Sequence, residues 1–529
     1  MARRKPQPNQ IALYARLLTE VADGGPVSPR LGQMEADILS DPNLCVDALG
    51  QFASLPDGVE DENCPGYLML MTTWLSVLRH EAEAGNPGAR NVIAAFQRHL
   101  AELSDTTIDG ETFLAVTMAL SEAGIPASPE VQLAMAEVAE DFADEESMGD
   151  ADWDQGLSSA LSGIAELAAD DPFAFIAMLM QAGHAMPVDA KAAMAGALAG
   201  NENTAAAAVL LLLDPVPEVR RAAAEALALG ANRLDGVSVR RLIALRNWVP
   251  AAERSAIDAL VRKARSAGVD CAAWPEDRLE GINSSSLDGS GSQGFLIVTK
   301  EGRKRSLSSI LTKHGVSDAW TTAQSKAEIT AILATARRES GLLAVSRSYL
   351  DRSVRHHLHV GLDTHDLPPP AGLIEIAERI GANDWTPRCF DWRAELATLV
   401  ADLSEKDERH QRQVLQQSEF WTVHDPMVDS WFEDGPAVSQ ALADFKRPDP
   451  KRLGDASRAV LTNVVEPARD KWAEHFVWIA LRLRESAKPD PIWERFAILA
   501  HALTAGTPLS EIAVMEAIAT RTVEAAWQR

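Results

Sequence analysis

The chain has 529 residues, 46% of them hydrophobic and 24% charged, so it is long enough for several domains or for one long helical array with an appended domain. Its formal net charge is -26, which disfavours nucleic-acid phosphate and anionic lipid as partners. The longest uninterrupted apolar run, Ala205–Leu213, falls far short of the roughly 20 residues needed to span a bilayer.

The opening MARRKPQPNQ is polar and basic, and Arg16 and Glu20 interrupt the segment after it, so no signal-peptide core follows. Cys45, Cys64, Cys271 and Cys389 are widely separated and show no metal-binding spacing, which suits a reducing cytoplasm. The acidity is uneven. Residues 1–294 hold 43 Asp+Glu against 20 Lys+Arg, and between His99 and Ala190 there are 19 acidic residues and no Lys or Arg. Such a surface attracts a basic partner.

In chain order, residues 1–30 read as a tail with one helix. Apolar periodicity predicts helices at 34–39, 67–83, 89–103, 112–123, 129–143, 154–168 and 172–182, separated by Pro and Gly breaks. The segment DEESMGDADWD, residues 144–154, imitates a calcium-binding EF-hand loop in part. It places Met148 at a ligand position and Gln155 where the bidentate Glu belongs, so an ordinary acidic loop is expected.

The stretch AAAAVLLLLDPVPEVRRAAAEALALG, residues 205–230, organises this half. A helix-forming run stops at Asp214-Pro215-Val216-Pro217, because proline cannot donate to a helical ladder and biases its predecessor away from helix. A second helix follows, with an acidic residue near its positive end, an apolar stripe through Val219, Ala223 and Leu227, and Gly230 placed to end it. This unit resembles a HEAT repeat. The resemblance implies an α-solenoid over residues 31–280, with Asp214, Pro215, Pro217, Val219, Arg220 and Arg221 making structural corner contacts between repeats. Weaker echoes about 30 residues apart, at Pro187 and Pro250, fit stacked helical pairs.

Residues 281–294, GINSSSLDGSGSQG, read as a flexible linker by composition. They contain the G-x-G-x-x-G spacing, but a polar run precedes it and a strand follows, the reverse of a dinucleotide site. Residues 295–307 predict a β-hairpin turning at Glu301-Gly302, with a basic tip of Lys300, Arg303, Lys304 and Arg305. The rest, 308–529, reads as helical, and Trp472, Phe476, Ile479 and Leu483 fall on one core stripe. This C-terminal half resembles no family. The fold class expected is therefore mainly α, a HEAT-like solenoid followed by a helical domain with one hairpin.

Chemistry concentrates in RHHLHVGLDTHD, residues 355–366. His356, His357, His359, Asp363 and His365 are the ligand types of divalent transition-metal sites, with His356 and His359 on one helix face and a loop bringing Asp363 or His365 round. No HExxH, GxSxG or Walker A motif occurs. The function expected is a non-catalytic, cytoplasmic scaffold that binds a basic protein partner without cofactor, catalytic residues, membrane or nucleic acid. The alternative is a metal-dependent enzyme working at residues 356–366. A nucleic-acid-binding reading would rest on the locally basic residues Arg240, Arg241, Arg246, Arg254, Arg262, Lys263 and Arg265, and the total charge opposes it.

Overall fold

A computed structural model describes residues 8–25, 28–55, 59, 61–83, 86–104, 108–145, 171–182, 186, 188–201, 203–404, 407–445 and 449–528. The expected helix at 154–168, most of the acidic loop at 144–154, and Pro187 lie outside the described residues. The chain is mainly helical and divides into two compact units. One is residues 1–208 with 221–223, the other residues 209–220 with 224–529.

In the first unit the described helices are α1 (Pro8–Ala22), α2 (Met34–Ser40), α3 (Leu44–Phe52), α4 (Cys64–Glu83), α5 (Pro87–Ser104), α6 (Gly110–Glu122), α7 (Pro129–Glu145), α8 (Pro172–Ala182), α9 (Val188–Gly200) and the single turn α10 (Ala205–Ala208). The core gathers on α4. Trp74 is fully buried, donates its indole N–H to the Met34 carbonyl at 3.1 Å and meets Tyr14 edge-on at 6.3 Å. Gly66 lets α4 approach α1 closely, since a Cβ there would lie 1.8 Å from the Ala15 carbonyl oxygen. The Tyr14 hydroxyl donates to Asp37 at 2.6 Å, which pins α1 to α2.

The corner at residues 205–230 differs from a pair of full helices. After α10 the chain tightens into a 3-10 segment, Val209–Leu213, buried throughout. The Asp214 side chain then accepts the Val216 N–H at 2.8 Å, and α11 (Pro217–Leu229) starts with Pro217 in its first turn. Val219, Ala223 and Leu227 are its buried stripe. Arg220 is buried and satisfied on every side. It donates to the Asp214 and Pro215 carbonyls at 2.7 and 3.1 Å and forks onto Glu253 at 2.7 and 2.6 Å, whereas Arg221 is exposed.

Next come α12 (Gly236–Leu245) and α13 (Arg254–Ser266), which pack together. Three of the basic residues here are engaged in ion pairs. Arg240 and Arg241 are buried and share the carboxylate of Glu378 at 2.7 and 3.0 Å, and Arg246 pairs with Asp258.

The expected hairpin is the middle of a larger sheet. Strands β1 (Leu279–Ser284), β2 (Gln293–Glu301), β3 (Lys304–Thr312), β4 (Val316–Ala323) and β5 (Leu343–Ala344) form an antiparallel sheet in the order β4-β3-β2-β1-β5. The Gly/Ser-rich segment is accordingly not a linker. Residues 281–284 lie in β1, residues 285–292 form the turn, and residues 293–294 begin β2. The Asp288 carboxylate accepts the N–H groups of Ser290 and Ser292 at 2.9 and 2.8 Å, and Gly291 takes φ +81°. Gly289 sits against the backbone of Ser430, where a Cβ would lie 2.0 Å from the carbonyl oxygen. Composition reads as flexibility here, while the actual demand is close approach and positive φ.

One face of the sheet, through Val298 and Leu307, packs on Ile329 of α14 (Lys326–Ser340). The opposite face presents Phe295, Ile297 and Ile310, fully buried, and Phe295 meets Tyr349 of α15 (Arg347–His365) at 6.1 Å. The remaining helices are α16 (Gly372–Arg379), α17 (Trp392–Ala401), α18 (Glu408–Gln416), α19 (Ser418–Thr422), α20 (Pro436–Ala441), α21 (Leu453–Val460), α22 (Arg469–Arg484), α23 (Trp493–Thr504) and α24 (Ala513–Gln528). Every residue of α22 from Trp472 to Leu483 is buried except Glu474. A helix buried all round is the centre of its unit. Each large apolar side chain there stabilises the fold by about 1.5–3 kcal/mol. Among the described residues no helix is long and apolar enough to cross a membrane.

Candidate functional site

The site lies where α15, α22 and the β1–β2 turn meet. Helix α15 is capped at its start by the Ser346 hydroxyl, which accepts the Tyr349 N–H at 3.1 Å. It runs unbroken to His365 and ends at Asp366, in the left-handed region with φ 51°. His356, His357 and Val360 occupy the part of α15 that lines a cavity of about 240 Å³. Helix α22 contributes Lys471, Glu474, His475 and Trp478, spaced three, four and seven apart and therefore on one helical face. The turn adds Leu287, Ser290, Gly291 and Gln293, and Lys313 enters from the β3–β4 connection.

The hydrogen bonds fix the state of two imidazoles. Nδ1 of His357 lies 2.9 Å from the Ser353 carbonyl, an acceptor, so Nδ1 carries the proton and Nε2 offers a lone pair. The backbone N–H of Phe390 donates to Nδ1 of His356 at 3.3 Å, which puts the His356 proton on Nε2, 3.7 Å from the Glu474 carboxyl. His475 is 5% exposed, ringed by Trp431 and Trp472 at 5.4 and 5.2 Å, and its Nε2 meets no hydrogen-bond partner among the described residues. Trp478 stacks on Phe390 at 4.1 Å and faces His356 at 5.6 Å, forming the apolar wall. Gln293 is oriented at both ends, accepting from the Tyr349 hydroxyl at 3.1 Å and donating to the Ser285 carbonyl at 3.1 Å.

Burial dominates the electrostatics. It pushes His356 down to about 3, with further lowering from His357 and His359, and pushes His475 down to about 3, with Lys471 adding to the effect. His357 falls to about 4 through burial, the bond to Ser353 opposing. Burial moves Glu474 the other way, upward. Low dielectric disfavours the charged form of either group, so near neutral pH the inner wall is three neutral imidazoles. Charge sits at Lys313 and at Lys471, whose ammonium is held by both oxygens of Glu433 at 2.9 and 2.8 Å. The wall thus offers hydrogen-bond donors, one free acceptor nitrogen, the Lys313 cation and the third N–H of the paired Lys471 to a small molecule. Its volume is below the roughly 300–1,000 Å³ of drug-sized sites.

Of the five residues read as metal ligands, the structure brings His356 and His357 to the cavity and leaves the other three out. The helix continues through His365, so no loop folds Asp363 or His365 back. His356 and Asp363 are two turns apart, about 10 Å along the axis. Asp363 and His365 are exposed, His359 is half-buried, and the His365 ring meets His314 at 5.9 Å. Among the described residues no group of three or more His, Cys, Asp or Glu is placed to hold a metal ion. The sequence reading missed Lys471, Glu474, His475 and Trp478, whose spacing is the one available signal and is hidden within a helix that is apolar almost throughout. A wider depression of about 520 Å³ lies across Phe390, lined by Arg352, Arg355 and Arg388. Arg352 is paired with Glu485 at 2.5 Å, and Arg355 with Asp384.

Two family models match the chain. The Y4lR C-terminal helical domain matches residues 393–527, which include α22, and the Y4lR second domain matches residues 187–268. No curated protein and no solved structure matches. The HEAT resemblance is overturned, because the second-domain match contains the whole of residues 205–230. The local geometry agrees, since the first limb of that corner is one α-turn and a 3-10 segment instead of a full helix. The C-terminal half, which resembled no family by sequence, is in large part similar to the Y4lR C-terminal helical domain.

Proposed function

We propose that the C-terminal unit is a small-molecule-binding module whose site is the imidazole-lined cavity. The observation that carries this is the convergence of His356, His357 and His475 on one cavity, with the buried Nε2 of His475 lacking a partner. Buried polar atoms are nearly always hydrogen-bonded, and leaving one unmatched costs about 1–3 kcal/mol that an apolar residue would not incur. A cavity with convergent polar groups and strongly shifted titratable residues is a candidate binding site. Val360→Trp would fill this cavity. After incubation with a metabolite extract, native mass spectrometry is expected to find a small adduct on the wild type and none on the variant. Equal adducts on both, or none on either, would refute the reading.

A second reading concerns the other unit, as a binder of a basic protein partner. It is favoured by charge, with 32 Asp+Glu against 9 Lys+Arg in residues 1–208. Met118 and Leu133, each 63% exposed, supply apolar anchors on α6 and α7. The four cysteines are free, which fits a reducing, cytoplasmic setting. Capture of a basic protein by the full chain, abolished at moderate salt and by Glu→Lys changes on α6 and α7, tests it. Salt-independent capture would sink it.

A further inference from the structure

We propose that the ligand of the imidazole cavity is a small oxyanion that keeps one O–H, of the hydrogen-phosphate or hydroxycarboxylate class. The proposal rests on the reading of the cavity as a ligand site. Its basis is the sorting of charge, donors and acceptors in the wall.

The cations come first. Lys313 and Lys471 are the two full positive charges lining the cavity, and Glu474 is its one carboxyl. Glu433 holds Lys471 through two bonds, which leaves the third N–H of that ammonium for a ligand. No carboxylate among the described residues pairs with Lys313. Lys471 is already neutralised by Glu433, so Lys313 is the charge that an anion in the cavity balances.

The remaining groups set a further condition. The Nε2–H of His356 is a donor, fixed by the Phe390 N–H at the other ring nitrogen. The Nε2 of His357 is an acceptor, fixed by the Ser353 carbonyl. A bare carboxylate would set its lone pair against that of His357. An oxyanion carrying an O–H donates to this nitrogen while its other oxygens receive the lysines and the His356 N–H. The cavity volume of about 240 Å³ admits a molecule of few heavy atoms. Burial keeps the imidazoles neutral, so His357 stays an acceptor at neutral pH.

The test is equilibrium dialysis of the full chain at pH 7 with radiolabelled inorganic phosphate and, separately, radiolabelled glycolate, each competed by acetate or glycerol. One saturable site is expected for at least one of the two anions, and which of them binds identifies the source of the oxyanion. Acetate, lacking the O–H, is expected to compete at least about tenfold less well. Lys313→Met, at an exposed position where the fold tolerates change, is expected to weaken binding about fivefold, and His357→Phe at least about tenfold. Acetate competing as well as glycolate, or Lys313→Met binding unchanged, overturns the class. Glycerol displacing either anion, or neither anion binding, also overturns it, yet leaves the cavity as a site for another ligand if the Val360→Trp comparison still shows an adduct. Loss of that adduct as well removes the parent reading.

Discussion

Replacing His475 by Phe is expected to flatten the acid limb of the stability curve. The unfolded imidazole titrates near 6.5, whereas in the fold burial, aided by Lys471, holds it down to about 3. Between those values the unfolded chain binds a proton that the native state refuses, so stability falls as pH drops through this window and is flat above it. At pH 5 the loss from His475 alone is about 2 kcal/mol, from roughly 1.5 pH units at about 1.4 kcal/mol each. Glu474 acts with the opposite sign. Burial raises it, so its contribution favours the fold at low pH and is lost as pH rises, but it is common to both proteins and cancels in their difference. Phe fits the ring of Trp431, Trp472 and Phe476 and removes the unmatched nitrogen, so the variant is expected to be at least as stable as wild type at pH 7, by up to about 1–3 kcal/mol. Urea melts at half-unit steps from pH 7.5 to 4.5 give the comparison. The wild type should lose about 1.4 kcal/mol per pH unit more than the variant below pH 6. Parallel curves would refute the account of His475 as a desolvated, neutral imidazole.

Other outcomes follow from single contacts. Glu378→Gln strips the shared anion from two buried guanidiniums, Arg240 and Arg241, and is expected to cost about 3 kcal/mol or more in chemical denaturation. Stability within 1 kcal/mol of wild type would mean the pair is satisfied elsewhere. Gly289→Ala forces a Cβ against the Ser430 carbonyl and should destabilise by about 1–3 kcal/mol, whereas Gly281→Ala, with open space around it, should change stability by less than about 0.5 kcal/mol. Urea melts on both variants separate the two cases.

The sequence made the helices legible wherever apolar spacing and breakers agreed, as at Pro129 and Pro172, which open α7 and α8. Trp472, Phe476, Ile479 and Leu483 are core as their stripe required. What stayed hidden was long-range. β1 and β4 carry Gly, Asn, Ser and Thr in place of an alternating apolar pattern, because their stability comes from pairing with β2 and β3 and not from their own residues. The histidine run on α15 stood out through local spacing, and two of its residues, His356 and His357, line the cavity. The cavity forms because α22, more than a hundred residues later, sets Glu474, His475 and Trp478 beside them. No window of sequence contains that juxtaposition. The Asp-Pro corner misled for a related reason, since the same turn chemistry serves any pair of helical segments, whatever their length.

The β1–β2 turn has a consequence for anyone dividing the chain. Cutting at the Gly/Ser-rich segment, the place composition recommends, would strip β1 from the sheet and leave β2 with a row of unpaired N–H and C=O groups. Beside Phe295, Ile297 and Val298 such a bare edge is a template for pairing with another molecule, so the fragment is expected to aggregate.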